Sequence, residues 1–343
     1  MLKDWLSEIR LKSLLLALTN CALGCALGYY YGNVTAYTLF TGFLIVATGV
    51  LLQILSNFAD DYGDACKSAD GPNRLGPIRA VMLGSISLTA LRKSMATVTL
   101  LATICGSLAL FMSVGNNIEV LSWFVFLGVA AVLAAIFYTI GMAYGYKGFG
   151  DIAVFIFFGL AAVIGSQILV LGASDQGVDL FPDSFLLGLA CGAQSVMVLH
   201  VASMRDIVED RLSGKKPIAA RLGPKMSAVY LIVMFAFSAM ASLSACFFSH
   251  KFWECFIVLF ALLPLAAATY RASIHCEDGQ AVAKERKYTL IGCAFHNIVW
   301  RMLLTLDYWF YLFFNFRFCL CRTYLLKHLP HNLTLQLALD MNL

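Results

Sequence analysis

The chain has 343 residues, 60% of them hydrophobic and only 13% charged, with a mean hydropathy of +0.80. Those values exclude a soluble globular domain, in which about a quarter of residues carry charge. A formal net charge of +4 says little in so apolar a chain, because the placement of Lys and Arg carries the information; the expected partners are membrane lipid and small molecules, with no nucleic acid.

Apolar windows recur at about 20 residues, the length that crosses a hydrocarbon core. They are read at 12–31, 36–57, 92–113, 119–140, 152–172, 184–203, 227–248, 252–271 and 288–314. Backbone groups in lipid must be satisfied within each segment, so windows of this length predict helices rather than barrel strands. The first follows "MLKDWLSEIRLK", has no small-residue cleavage site and leads straight into the next, so a removed signal peptide is not expected. The fold class expected is an all-α integral membrane protein, a bundle of about nine transmembrane helices with cytoplasmic cap loops after helices 2 and 6. One transmembrane domain over 1–314 is expected, followed by a divergent C-terminal tail over 315–343.

Most of the 24 Lys and Arg fall in the N-terminal segment and the even-numbered loops, whereas the odd-numbered loops hold Lys251 with Glu119, Asp175, Asp179 and Asp183. That asymmetry predicts a cytoplasmic N-terminus; the location expected for the multi-pass protein is a bacterial inner membrane. Beyond residue 288 the pattern weakens. His296, Arg301 and Asp307 stand in what should be a lipid-facing helix, with Arg317, Arg322 and Lys327 after it. The eleven Cys are scattered and read as small packing residues without a disulfide framework.

Two loops on the same predicted face are long and charged, one after helix 2 and one after helix 6. In "SNFADDYGDACKSAD", Asn57, Asp61 and Asp64 stand at i, i+4 and i+7, one stripe if the helix is still running. In "RDIVEDR", Asp206 and Asp210 stand at i and i+4. Solvated loop acids are the plain reading of either cluster alone. Two clusters facing one another would repel unless a cation sits between them. Oxygen-only ligands point to a hard ion, Mg2+ or Mn2+, and Mg2+ commonly shares one or two carboxylates with phosphate oxygens. Lys67, Arg74 and Arg79 accompany the first cluster, while Arg205, Arg211, Lys215 and Lys216 bracket the second. Metal ligands beside anion partners suit a diphosphate, and a membrane bundle suits a diphosphate with a lipid tail such as polyprenyl diphosphate.

The segments "NFADDYGDACKSADGPNRLGPIRAVMLGSIS" and "MRDIVEDRLSGKKPIAARLG", with "RLKSLLLAL" and "YGYKGFGDIAVFIFFG", resemble the UbiA-type intramembrane aromatic prenyltransferases, nearest to the 1,4-dihydroxy-2-naphthoate polyprenyltransferase branch. The resemblance covers about residues 8 to 230. Asp61 and Asp64 match the first motif, with Asp60 in an Asn place and Ser68 in an Asp place for which Asp70 is a substitute. Arg205, Asp206, Asp210, Gly214 and Lys215 match the second, with Ala202 and Ser203 where an Asn pair is expected.

What the resemblance implies is alkylation of an aromatic acceptor by polyprenyl diphosphate, with CO2 lost in the naphthoate branch and demethylmenaquinone formed. It assigns Asp61, Asp64, Asp206 and Asp210 to the metal and the catalytic centre. Arg74, Arg79, Arg205, Lys215 and Lys67 go to the diphosphate, and Arg10, Lys12, Asn57 and Asp60 to the acceptor. Tyr138 faces the allylic cation with its ring on one reading and is an ordinary interfacial Tyr on the other; Arg10 and Lys12 are equally plain as membrane anchors. Gln167 and Gln194 are read as interhelical hydrogen-bonding groups. Competing accounts are another aromatic acceptor such as 4-hydroxybenzoate or homogentisate, a transporter, or a non-catalytic scaffold. A transporter favours ionisable or broken-helix sites near the bilayer midplane.

Overall fold

The computed structural model describes residues 2–67, 79–249 and 253–328; Ser68, Asp70 and Arg74 lie outside them. The chain divides into two units, Met1–Arg301 and Met302–Leu343, and the bundle described here belongs to the first. Among the described residues every regular element is helical, and nine helices are long and apolar enough to cross a membrane.

A short helix α1 (Leu2–Ile9) precedes the spans α2 (Leu11–Tyr31), α3 (Ala36–Lys67), α4 (Leu88–Val114), α5 (Ile118–Phe137), α6 (Gly150–Ala173) and α7 (Pro182–Arg205). Helix α8 (Ile207–Leu212) follows without a loop, and α9 (Ile218–Phe248), α10 (Cys255–Ile274) and α11 (Gly279–His328) complete the order. The predicted windows each fall on a span, but several spans are longer. Helix α3 runs ten residues past its window to Lys67, so Asp60, Asp61 and Asp64 lie on helix rather than loop. Helix α9 begins at Ile218 and bends at Gly223, whose φ of 76° breaks the ladder just before Pro224. Helix α11 passes residue 314 without a break.

Helix α7 is the most enclosed span and α5 the least. Close approach of backbones sets the centre of the bundle. A Cβ on Gly159 would lie 2.5 Å from Gly192 Cα, and one on Gly24 would lie 2.2 Å from the Val163 carbonyl oxygen, so only glycine lets α6 meet α7 and α2 there. In the same stretch, Phe155–Gly165, α6 takes the wider π-helical form. The Asn20 side-chain amide donates to the Phe158 carbonyl at 2.7 Å.

His296 contradicts the expectation of a lipid-facing position, whereas Arg301 is exposed. His296 is fully buried, 2.7 Å from Ser242 Oγ and 3.0 Å from Asn297 Oδ1, and Asn297 donates to Asn20 Oδ1 at 2.6 Å. Trp300 donates to the same Ser242 oxygen at 2.9 Å. Polar groups in a bundle interior persist when each finds a partner, which is the case here. Gln194 bonds across to Ser238 of α9 at 3.0 Å as read, whereas Gln167 reaches the Asp179 carbonyl in the segment joining α6 to α7.

Candidate active site

The predicted Asn57, Asp61 and Asp64 stripe is real: all three are buried on one face of α3. Asp206 sits at the break between α7 and α8, its φ of −101° and ψ of 14° ending one helix and opening the next. The Asp210 N–H still donates to the Asp206 carbonyl at 2.8 Å, so the two acids keep their one-turn spacing across the break.

A cavity of about 1280 Å³ opens between these ends. Asp60, Asp64, Asp206 and Asp210 line it together with Arg10, Lys12, Asn57, Arg79, Tyr138, Arg205 and Lys215. Below this polar mouth the walls are apolar, including Leu16, Ile45, Phe158, Val198 and Leu290. The two acidic segments touch through Lys215, whose Nζ lies 3.0 Å from Asp64 Oδ1. Tyr146 donates its hydroxyl to the same Asp64 oxygen, and the ammonium groups of Lys67 and Lys215 stand 4.3 Å and 4.7 Å from its ring centre. Burial, then the neighbouring Asp64, push the Tyr146 phenol up, so it stays a proton donor.

Asp61 is arranged differently. It lies behind the cavity wall, held by Arg10 and, at 3.4 Å, by Arg79 Nε, while its second oxygen is buried without a partner among the described residues. Arg10 also bridges to Asp60 at 2.8 Å, so the guanidinium expected to meet an acceptor carboxylate is engaged by two acids of α3. Arg205 chelates Asp206, with Nε 2.7 Å from Oδ1. Burial pushes the Asp210 carboxyl up to about 7; Lys215 draws it down, and Asp206 and Asp64 add repulsion. Asn57 donates to the Ile9 carbonyl at 2.9 Å and to Ser13 Oγ at 3.0 Å, tying α3 to the start of α2. Lys67 Nζ donates to the Thr139 carbonyl at 2.8 Å. Tyr138 borders the cavity with its ring edge to face against Tyr144, and burial, then Asp60, raise its phenol far above the ordinary value.

Three contributors escaped the sequence reading. Tyr146 binds Asp64 from the segment between α5 and α6. Glu8, fully buried on α1, accepts from the Val81 N–H at 2.9 Å and so fixes the turn that carries Arg79. Arg286 of α11 lines the cavity. Only Glu8 had a signal, as an acid on the apolar side of an amphipathic helix.

The pattern of the UbiA prenyltransferase family matches residues 17–299. The chain belongs to the UbiA prenyltransferase family, and is a prenyltransferase. It is 33% identical over 307 residues to a 1,4-dihydroxy-2-naphthoate octaprenyltransferase of Escherichia coli (strain K12), covering 89% of this chain and 96% of that protein. A Haemophilus influenzae protein of the same name is 34% identical over 267 residues, covering 78% of this chain and 84% of its own length. Among solved structures, a UbiA homolog from Aeropyrum pernix superposes with a TM-score of 0.64 at 15% identity, covering 84% of this chain and 96% of the other. That likeness confirms the family fold for the helix order described above.

A divalent metal is tested by the donors present. Those at the cavity mouth are all carboxylate oxygens, without His or Cys beside them, and Asp61 keeps one buried oxygen unpartnered. Among the described residues no three such groups are gathered closely enough to hold an ion unaided. That set fits a hard cation completed by phosphate oxygens rather than a cage made by protein alone.

Proposed function

We propose that this prenyltransferase moves a polyprenyl group from polyprenyl diphosphate to 1,4-dihydroxy-2-naphthoate in a Mg2+-dependent reaction, releasing diphosphate and CO2. The product is the reduced form of demethylmenaquinone. The observation that carries the reading is the 3.0 Å contact of Lys215 with Asp64, which joins the two acidic segments at the mouth of one apolar cavity. The names of the Escherichia coli and Haemophilus influenzae relatives support the naphthoate acceptor.

Asp64, Asp206 and Asp210, with Asp61 behind them, would hold Mg2+, and Mn2+ would serve in its place. Bound there, the ion offsets the negative charge that develops on the departing diphosphate. Lys215 and Arg205 would meet diphosphate oxygens as Asp64 and Asp206 turn to the ion, and Lys67 and Arg79 would add positive field at the same mouth; Arg74 is assigned to the diphosphate by the resemblance alone. The allylic C–O bond breaks with its electrons going to the diphosphate. A ring carbon of the acceptor supplies the pair for the new C–C bond, and the carboxylate leaves as CO2, returning electrons to the ring. Tyr138 presents its ring to the allylic cation, Asn57 and Asp60 border the acceptor with Lys12, and the apolar walls exclude water. A cytoplasmic N-terminus follows from the basic residues of the even-numbered loops, and the bacterial relatives support a bacterial inner membrane.

An acceptor panel tests the reading. Purified protein given one polyprenyl diphosphate should prenylate 1,4-dihydroxy-2-naphthoate in preference to 4-hydroxybenzoate and homogentisate; preference for either of the latter would move the protein to another branch.

A further inference from the structure

Helix α11 brings a stripe of residues to the cavity that its sequence did not advertise. Ala283, Arg286, Lys287, Leu290 and Ile291 all line it, at i, i+3, i+4, i+7 and i+8. Arg286 stands at the polar end of that stripe, and Leu290 and Ile291 lie one turn further along the helix. The charged groups that act on Arg286 include Arg205, Arg10 and Arg79, and Asp206 of opposite sign.

The other guanidinium groups at the mouth, and the Lys215 ammonium, are committed, while the Lys12 and Lys287 ammonium groups also line the cavity. Arg10 holds Asp60 and Asp61, Arg79 holds Asp61, Arg205 holds Asp206, and Lys215 holds Asp64. Among the described residues no hydrogen bond or ion pair reaches the Arg286 guanidinium. It can therefore accept an anion without breaking an existing pair. Like charge from three neighbouring arginines makes an anion there more favourable still. A planar guanidinium pairs with a carboxylate through two parallel hydrogen bonds, and the apolar turn beside it offers a surface for an aromatic ring.

We propose that Arg286 is the substrate-binding residue for the acceptor's carboxylate, with Leu290 and Ile291 against its ring. This rests on the reading of the acceptor as an aromatic acid. It adds α11 to the acceptor's side of the site, with Lys12, Asn57 and Asp60. The carboxylate at Arg286 holds the ring at the cavity mouth, beside the place where the allylic carbon is freed.

The test is binding, without prenyl donor or metal, so that it stands apart from turnover. Full-length protein in detergent is titrated with 2-naphthoate and with 2-naphthamide, its uncharged isostere. Wild type should bind the carboxylate about ten-fold or more tighter, the effect of one charge-assisted contact. Arg286→Gln should erase the preference and Arg286→Lys should restore part of it. In turnover assays Arg286→Gln should raise the KM for the carboxylated acceptor while leaving that for polyprenyl diphosphate within about two-fold. A preference that survives in Arg286→Gln overturns the proposal, as does a rise in KM for the diphosphate alone, which would assign Arg286 to the donor. Carboxylate preference in a protein that transfers no prenyl group would leave the Arg286 assignment standing and remove the transferase reading instead.

Discussion

Lys215 and Asp64 are 151 residues apart in the chain and 3.0 Å apart in space. The pair closes the loop after α8 onto the end of α3, and it makes one site of two motifs. Lys215→Ala should therefore raise the KM for polyprenyl diphosphate about ten-fold or more, since a charge-assisted contact at a part-buried site is lost. The double variant Lys215→Ala/Asp64→Ala should be little worse than Asp64→Ala, because the partners act as a unit. Additive losses, measured by initial rates at fixed acceptor, would mean that the pair is not functionally linked.

The polar network around Asn297 makes a stability prediction. Asn297 donates to Asn20 Oδ1 at 2.6 Å and to Thr19 Oγ1 at 3.3 Å, and takes one hydrogen bond from Cys191. Asn297→Leu strands those groups in the bundle interior, at about 1–3 kcal/mol for each buried group left unmade. Thermal unfolding in detergent should show a clearly lower midpoint. An unchanged midpoint would mean that the network contributes nothing to the fold.

Two glycines separate packing from propensity. Gly159→Ala places a methyl 2.5 Å from Gly192 Cα and 2.6 Å from the Gly188 carbonyl oxygen, and should destabilise by about 1–3 kcal/mol through overpacking. Gly128→Ala, with nothing within 4 Å of the new carbon, should be neutral or slightly stabilising, as Ala is the better helix former by about 1 kcal/mol. Equal unfolding midpoints for the two variants would count against the close α6–α7 contact.

Hydropathy alone located the spans, because an apolar run of about 20 residues has few alternatives in lipid. It missed the ends. Helix α3 continues through Asp60, Asp61 and Asp64 because their face packs inward against α1 and α2, where Arg10 and Asn57 meet partners. Hydropathy scores that segment as loop. The helical spacing of Asp61 with Asp64 and of Asp206 with Asp210 was legible because carboxylates so placed are uncommon in so apolar a chain. What the sequence could not show was that Asp61 pairs with Arg10 and Asp64 with Lys215, contacts over 51 and 151 residues. Glu8, Tyr146 and Arg286 resemble ordinary interfacial residues until the fold turns them inward. His296 looked misplaced for the same reason, before α9 supplied Ser242. The π-helical stretch of α6 leaves no mark in hydropathy either, because widening a helix by one residue per turn changes which carbonyls are free and not which residues are apolar.

We propose that Asp64 and Asp206 serve one metal-dependent centre. Initial rates of polyprenyl transfer to 1,4-dihydroxy-2-naphthoate test it most directly, measured for purified wild type with Mg2+ and with excess EDTA, and for inserted Asp64→Ala and Asp206→Ala with Mg2+. Turnover should fall at least about 100-fold in EDTA and in each variant, and in EDTA-treated wild type should return when Mg2+ or Mn2+ is added back. Turnover in EDTA equal to that in Mg2+, with both variants near the wild-type rate, would contradict it.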